Sequence, residues 1–451
     1  VSRGLGDVYK RQVDTYGVDN PGDFSTVFGS RVWNFKERLI YHPLETLKLT
    51  ARAGYYFRER NKPGDTQDRY RDFNGGLKAN YTFNTLSNLE VGYTFDQYDK
   101  SDYQVLYKND VRDYSNVQHN VHALYNYTFN EKHTLTVGAD YLRDYLMSYQ
   151  FTDNANYIMH TADAFGQFDW NPTERLNVIA GLRFDYFSDS NVRHLSPHLG
   201  MMYKIGNCSL RGSYSQGFRS PTLKEMYMVF NMANMMMIYG NPDLKSETSH
   251  NFSLSAEYTK NRYNFSVTGY YNLVHNRINT VYSDDPKGQI YTNTDKVDIA
   301  GVDANISAKY PCGLGFRMSY TYIHEFMRDG QKKFTDTRPH TATVRVDWGE
   351  NLDKVDFNYS LNGRILSEVK TNVYNDSFNN PAAGSTAVTY PGYMIWDLTF
   401  SVGVFKGVNM NLAINNLFNY VPDYYYFNSP TTTGANLTLG LSLDIDRFFK
   451  K

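Results

Sequence analysis

The chain has 451 residues, with 46 Lys and Arg against 47 Asp and Glu, and a formal net charge of -1. This balance, without long blocks of like charge, excludes the basic footprint of a nucleic-acid-binding protein, so no nucleic acid partner is expected. Aromatic residues make up 16% of the chain, with 40 Tyr and 28 Phe. The mean hydropathy is nevertheless negative, at -0.57.

The first residues, "VSRGLGDVYKRQ", carry basic side chains but no apolar core of the kind a signal peptide needs. They resemble translated adapter sequence. We therefore predict that residues 1–12 are non-native and that residues 13–451 form the folded domain.

From Arg31 onward, alternating segments of about ten residues are joined in turn by tight polar turns and by longer loops, which is the signature of repeated β-hairpins. The last segment shows the period of two clearly, because Leu437, Leu439, Leu441, Leu443 and Ile445 alternate with polar residues and glycine. The short turns are predicted near Leu44, Thr85, Glu131, Thr173, Gly206, Asn261, Cys312, Asn351 and Lys406.

The sorting of short and long connections decides the fold class. A soluble β-sandwich also alternates apolar and polar residues, but it has no reason to alternate short turns with long loops. An outer-membrane barrel does so, with turns on the periplasmic side and loops outside. No apolar run is long enough for a membrane-spanning helix. The sequence predicts an all-β transmembrane antiparallel β-barrel.

The predicted strand number is odd. Nine turns join eighteen strands, and Leu437 to Arg447 forms a nineteenth, whereas single-chain bacterial barrels have an even number. Unpaired strand edges are costly in lipid. We therefore expect this chain to be the C-terminal part of a larger barrel.

The most unusual loop reads "GFRSPTLKEMYMVFNMANMMMIYGNPDLKSETS" and starts at Gly217. Within it, Ser220 or Thr222 followed by Glu225 predicts a capped helical turn that places Met226 and Phe230 on one face. "NPDL" predicts a turn in which Asp243 bonds local backbone.

Six methionines fall between Met226 and Met237. They could fill the irregular interior of the loop, present a soft surface to a porphyrin or corrin, or coordinate a soft metal ion through thioether sulfur.

No catalytic motif is present, and no enzymatic activity is expected. The only cysteines, Cys208 and Cys312, are too few for a zinc site and are interpreted as turn residues.

Several motifs together resemble the C-terminal barrel of TonB-dependent outer-membrane receptors. These are "GLRFDYF" from Gly181, "SPHLG" from Ser196, "GFRSP" and "GNPDLKSE" flanking the methionines, "GVDANISAKY" from Gly301, "TRPHTATVRV" from Thr337 and "NNLFNY" from Asn415. The two boxes around the methionines are closest to the hemin and siderophore receptor branch.

This resemblance implies a barrel of 22 strands, of which this chain would supply about 19, with the plug domain missing. It implies an outer-membrane protein, expected to be monomeric, that contacts the TonB–ExbB–ExbD complex through the missing plug and TonB box. The expected cargo is a small metal chelate bound at the outer loops, namely heme or a siderophore, with cobalamin as the alternative. No intrinsic cofactor is expected. A passive porin or a surface adhesion barrel is the alternative of a different class.

Ligand-binding residues are expected at the rim and in the outer loops. Arg219 could contact an anionic ligand or form an ion pair within its loop, and the tyrosine run could equally belong to an interfacial aromatic belt. Residues 222–240 contain no histidine, so heme would need a methionine ligand or a histidine from another loop, such as His160, His194 or His340, each of which is also interpretable as a surface or rim residue. The predicted ligand-binding set is Phe218, Arg219, Tyr227, Met232, Met235, Met236, Met237, Tyr424 and Tyr425.

Overall fold

A computed structural model describes most of the chain. The described residues are 9–15, 29–62, 64–152, 155–188, 192–232, 236–294, 297–326, 333, 335, 337–352, 355–376, 379–405, 407–422 and 434–444.

Strands dominate the described residues, and they follow one another in the order β1 (Tyr9–Thr15), β2 (Ser30–Leu44), β3 (Leu47–Arg60), β4 (Thr66–Asn84), β5 (Ser87–Gln104), β6 (Asn109–Phe129), β7 (His133–Ser148), β8 (Asn156–Trp170), β9 (Leu176–Phe187), β10 (Val192–Ile205), β11 (Cys208–Arg219), α1 (Leu223–Tyr227), β12 (Val229–Met232), β13 (Met236–Tyr239), β14 (Glu247–Lys260), β15 (Tyr263–His275), β16 (Arg277–Asp284), β17 (Lys287–Thr294), β18 (Val297–Lys309), β19 (Leu314–Phe326), β20 (His340–Leu352), β21 (Val355–Leu366), β22 (Val369–Tyr374), a 3-10 turn (Pro381–Ala383), β23 (Ser385–Tyr390), β24 (Tyr393–Phe405), β25 (Val408–Asn415) and β26 (Asn436–Leu443).

The main sheet is a 20-stranded antiparallel meander. It runs from β1 to β26 and leaves out only the short strands β12, β13, β16, β17, β22 and β23. Strands β2 to β26 of this sheet are the nineteen that the sequence predicts. The short connections between them fall close to the predicted positions, but Lys406 and residues 353–354, next to the predicted Asn351, lie outside the described residues. Among the described residues β1 and β26 do not pair, so the sheet is open along one seam, and no plug-like domain lies inside it.

Strand β1 overlaps the segment predicted to be non-native. Residues 9–12 lie in β1, which pairs along its length with β2 from Tyr9 opposite Lys36 to Thr15 opposite Ser30. The non-native origin of residues 1–12 stays a prediction.

The two faces of the sheet differ in polarity. One face carries exposed apolar side chains, such as Leu254, Leu77 and Leu199, which are 73%, 63% and 52% exposed. The other carries charged side chains that pair with one another, as Arg183 does with Asp163 at 2.9 Å. An apolar outer face and a polar inner face are what a barrel in lipid requires. Among the described residues, no helix is long and apolar enough to cross a membrane.

Two of the long loops join into a small sheet beyond the end of the barrel. Strands β12, β13, β17 and β16 form this four-stranded sheet, in which β13 and β17 are parallel. Strands β22 and β23 form a separate hairpin. The sequence pattern does not predict these six strands, which lie in segments expected to be long loops.

Candidate functional site

The loop between β11 and β14 begins with the predicted capping box. Thr222 is the N-cap of α1: its Oγ1 accepts from the Glu225 amide at 3.2 Å, and the Glu225 carboxylate accepts from the Thr222 amide at 2.8 Å. The helix ends at Tyr227, earlier than predicted, so Phe230 lies on β12 and does not share a helical face with Met226. The reason is competition from strand pairing, because the Val229 amide donates to the Gln150 carbonyl at 2.7 Å.

Arg219 at the rim forms ion pairs within its loop, which is one of the two roles that the sequence suggests for it. Its Nη1 donates to both carboxylate oxygens of Glu225 at 2.9 Å, and its Nη2 donates to Glu247 at 3.3 Å. Glu247 also accepts from the Ile278 amide at 3.1 Å. Arg219 thus ties α1 to β14 and β16, and its direct contact with an anionic ligand stays a prediction.

Met226 and Met228 belong to the interior of the loop. They are 2% and 8% exposed, and Met226 packs in a core cluster with Leu146, Phe151 and Leu223. Leu146 lies on β7 and Phe151 in the following loop, so the cluster holds the β11–β14 loop against the β7–β8 loop. For these two methionines the packing interpretation fits the structure.

Tyr227 and Lys224 each contact a tyrosine of the barrel wall, Tyr157 on β8 and Tyr114 on β6. The Tyr227 ring stacks on Tyr157, with centroids 3.8 Å apart and planes 4° apart. The Lys224 ammonium lies 4.9 Å from the centre of the Tyr114 ring. Burial lowers the pKa of Lys224, because the charged form loses water.

The other methionines of this loop that the structure describes lie on the hairpin formed by β12 and β13, which we call the methionine hairpin. Met232 is the cross-strand partner of Met236, and Asn231 that of Met237. Met232 and Met236 therefore share one face of the hairpin, and Met237 lies on the other. All three are half-buried. Met235, Tyr424 and Tyr425 lie outside the described residues.

The box that follows the methionine hairpin is structural. Gly240 is required because a Cβ there would lie 2.6 Å from backbone atoms of Met226 and Met228. The predicted turn is present, but the side chain that closes it is that of Asn241, whose Oδ1 accepts from the Asp243 amide at 2.9 Å. The prediction that Asp243 supplies this bond was wrong. Asn293 anchors the box to β17 through the amide and carbonyl of Lys245, each at 2.7 Å.

Phe218 is held in an aromatic cluster at the rim. It stacks on His194 with centroids 4.2 Å apart and contacts Phe187 at 5.5 Å. His194 Nε2 is buried without a hydrogen-bond partner. Of the histidines named as possible heme ligands, His160 and His340 lie within hydrogen-bond distance of Tyr141 and Tyr320 through Nδ1, and a role in heme binding stays a prediction.

The described residues contain no group of three or more His, Cys, Asp or Glu side chains able to hold a metal ion. Cys208 and Cys312 are free thiols. The site is thus a rim assembly of aromatic and thioether side chains, fixed by ion pairs and backbone hydrogen bonds. Sequence reasoning missed the partners that fix it, namely Glu247 and Asn293, because they come from distant strands.

An antiparallel sheet with an apolar outer face, short turns at one end and elaborated loops at the other defines a transmembrane β-barrel of the outer-membrane type. The family described as TonB dependent receptor-like, beta-barrel matches residues 4–417. The chain therefore belongs to this family, and it is an outer-membrane protein.

Two relatives illustrate the family at the level of sequence. The iron-regulated outer membrane virulence protein of Vibrio cholerae is 24% identical over 297 residues, covering 61% of this chain and 43% of that protein. The heme/hemopexin utilization protein C of Haemophilus influenzae is 22% identical over 335 residues, covering 62% and 44%. The chain thus spans less than half the length of these relatives.

Solved structures share the fold. The ferric enterobactin receptor of Pseudomonas aeruginosa, in complex with enterobactin, superposes with a TM-score of 0.71 at 16% identity, covering 87% of this chain and 66% of that one. The siderophore receptor PirA of Acinetobacter baumannii gives a TM-score of 0.68 at 16% identity, covering 87% and 67%. The copper transporter OprC gives 0.70 at 13% identity, covering 93% and 73%.

Proposed function

We propose that this chain is the barrel portion of a receptor that imports an iron chelate, heme or a siderophore, across the outer membrane into the periplasm. The proposal rests first on family membership and on relatives whose names refer to iron and heme. In this proposal the energy comes from the TonB–ExbB–ExbD complex acting on a plug domain, and the receptor works as a monomer.

One observation carries the proposal, namely the surface that the outer loops present. The methionine hairpin offers half-buried thioether side chains, and Met232 shares one face of β12 with Phe230. Such a surface suits a large, partly apolar ligand, because methionine is flexible and polarizable and adapts to irregular shapes. Heme and aromatic iron chelates are of this kind, and cobalamin is the alternative cargo.

The test uses the full-length receptor and a variant of the methionine hairpin in which Met232, Met236 and Met237 are replaced by Ser. Binding of heme, ferric enterobactin and cobalamin is measured by tryptophan fluorescence quenching. We expect at least a tenfold loss of affinity for one of the three ligands. The matched control is Met201→Ser, because Met201 is 54% exposed on the outer face of β10, away from the loops. Equal affinities in both variants and the wild type would contradict the role of the hairpin.

A second candidate cargo is a soft metal ion such as copper. It is favoured by the register that brings Met232 opposite Met236, since thioether sulfur selects soft ions such as Cu(I). Substitution of both residues by Leu separates the two cargoes. Leucine keeps the apolar surface for a chelate but removes the sulfur ligands, so only copper binding would fall.

A passive porin or an adhesion barrel predicts a different result in cells. Uptake through a porin does not depend on cellular energy and does not saturate at low ligand concentration. Saturable uptake that stops when the TonB gene is deleted would exclude both alternatives.

A further inference from the structure

Four tyrosine–histidine pairs recur on the main sheet. In each pair the tyrosine hydroxyl lies within hydrogen-bond distance of the histidine Nδ1, and the two rings lie 6.0 to 6.2 Å apart at angles of 15° to 29°. We call these eight residues the tyrosine–histidine belt. The distances are 2.8 Å for Tyr93 and His119, 2.7 Å for Tyr141 and His160, 3.0 Å for Tyr214 and His250, and 2.7 Å for Tyr320 and His340.

The four pairs share one register. In each, the histidine is the cross-strand partner of the residue two positions after the tyrosine, which places both side chains on the same face of the sheet. The same relation therefore arises in four separate strand pairs: Phe95 is opposite His119, Arg143 opposite His160, Gln216 opposite His250, and Tyr322 opposite His340.

The belt lies on the lipid-facing side. Tyr93 and Tyr141 are 37% and 43% exposed, and they share their face with the exposed Val91 and Val137. The residue opposite each histidine lies about eight to ten residues after the short turn that begins its strand. With a rise of ~3.3 Å per residue and a strand tilt of ~40°, each histidine therefore lies roughly 20 to 25 Å above the short turns, measured along the barrel axis. Because the apolar band of such barrels is about 25 Å tall, the belt lies at the level of the outer-leaflet head groups.

Each pair offers a hydrogen-bond donor to the outside in every protonation state. If the tyrosine hydroxyl donates to Nδ1, the neutral imidazole carries its hydrogen on Nε2. If Nδ1–H donates to the tyrosine oxygen, the hydroxyl hydrogen is free, and a protonated imidazole offers Nε2–H as well. Among the described residues, no protein group hydrogen-bonds to Nε2 of His119, His160, His250 or His340.

Charged residues lie in the cross-strand rows of the belt. Arg143 is opposite both His119 and His160, and Asp298 is separated from His250 only by Leu273. At the corresponding register between β15 and β18, Tyr271 donates to Asp298 at 3.1 Å, so an acidic group stands where the other pairs have imidazole.

We propose that the tyrosine–histidine belt binds phosphate groups of outer-leaflet lipid, one at each of the four pairs. Lipid is the occupant because the belt faces the bilayer at head-group height. Phosphate is the ligand because its oxygens are hydrogen-bond acceptors, which match a donor that is present in every state of the pair. The Tyr271–Asp298 position does not bind phosphate, since a carboxylate repels it.

The test compares two lipids with the same acyl chains, only one of which carries a phosphoglycerol head group. The full-length receptor is purified in detergent, phosphatidylglycerol or diacylglycerol with the same acyl chains is added, and bound lipids are counted by native mass spectrometry. The variant replaces all four histidines of the belt by Phe, which keeps the aromatic rings but removes the Nε2 donors. We expect the wild type to retain about four phosphatidylglycerol molecules and the variant to bind them at least tenfold more weakly, while diacylglycerol binds both proteins weakly.

Two further variants keep the proposal testable. His198→Phe changes a histidine of β10 on the inner face of the sheet, opposite to the face that carries the belt, and is expected to leave lipid binding unchanged. Replacing the belt histidines by Gln restores an N–H donor and is expected to restore binding. If the fourfold variant does not fold, His160→Phe alone should lose one bound lipid. Equal retention of phosphatidylglycerol by the wild type and the Phe variants, or equal retention of both lipids by the wild type, would overturn the proposal.

Discussion

Tyr227 and Tyr157 stack face to face, 3.8 Å between ring centroids, and so join the loop that carries the methionine hairpin to the strand β8. Beneath this stack, Met226 and Phe151 are almost fully buried. The outer loops thus have a hydrophobic core of their own, and the orientation of the methionine hairpin depends on it.

The stack can be tested by Tyr227→Leu. Loss of an aromatic pair costs about 0.5–1.5 kcal/mol beyond the area it buries. We expect faster proteolysis within residues 220–240 of the full-length receptor, with unchanged global unfolding. The control is Tyr203→Leu on the outer face of the barrel, which should leave the loop resistant. An equally resistant loop in Tyr227→Leu would argue against the coupling of this loop to β8.

A substitution in the buried cluster around Met226 should destabilise the loop more than Tyr227→Leu does. Met226→Ala removes a side chain that is 2% exposed, and substitutions of this kind typically cost ~2–5 kcal/mol. We expect amide hydrogen exchange in α1 to accelerate by at least tenfold. Met232→Ala, at a half-buried position of the hairpin, is the matched control and should change exchange in α1 little. The packing role of Met226 would be wrong if both variants exchanged alike.

Lys224 predicts a pH dependence of loop stability. Burial lowers the pKa of Lys224 below the ordinary 10.5, so over the range from that lowered pKa up to 10.5 the unfolded loop binds more protons than the folded one. Stability of the folded loop therefore rises with pH in this range. Lys224→Met should remove the rise and slow loop opening at neutral pH, as measured by hydrogen exchange between pH 7 and 10. A rise of the same size in the variant would assign it to another group.

A substitution of Arg219 can distinguish a structural role of this residue from a role in ligand binding. Its side chain is 41% exposed, so its ion pairs are worth about 1 kcal/mol or less. If the role is structural, Arg219→Gln should speed hydrogen exchange in α1 and lower chelate affinity only a few-fold. A loss of affinity above about a hundredfold with unchanged exchange would instead indicate direct contact with the ligand.

The lipid face is tested by a charge at Leu254, which is 73% exposed near the middle of β14. An arginine on the lipid face near the bilayer midplane costs ~2–4 kcal/mol. We expect Leu254→Arg to lower the free energy of unfolding in lipid vesicles by this amount. Thr268→Arg, on the inner face opposite Asp303, should have little effect. Equal costs at both positions would contradict the assignment of the two faces.

The barrel could be predicted from the sequence because its signals are local. A period of two and a polar turn are each visible within about ten residues, and the described short turns lie where they were predicted. The capping box at Thr222 was predicted for the same reason.

The rim could not be predicted in the same way, because it depends on contacts between distant segments. The end of α1 at Tyr227 is set by Gln150, the partner of Val229. The parallel pairing of β13 with β17 joins segments about fifty residues apart. No local pattern around the methionines indicates either partner, so the loop interior and the exposed hairpin could not be distinguished from sequence.

The central claim is that the full-length receptor imports an iron chelate. The most direct measurement is uptake of 55Fe-labelled heme and ferric enterobactin by iron-starved cells in which this gene is the only such receptor, with and without the TonB gene. We predict saturable uptake of at least one chelate that disappears when the TonB gene is deleted. Uptake of neither chelate, or uptake that persists without TonB, would contradict it.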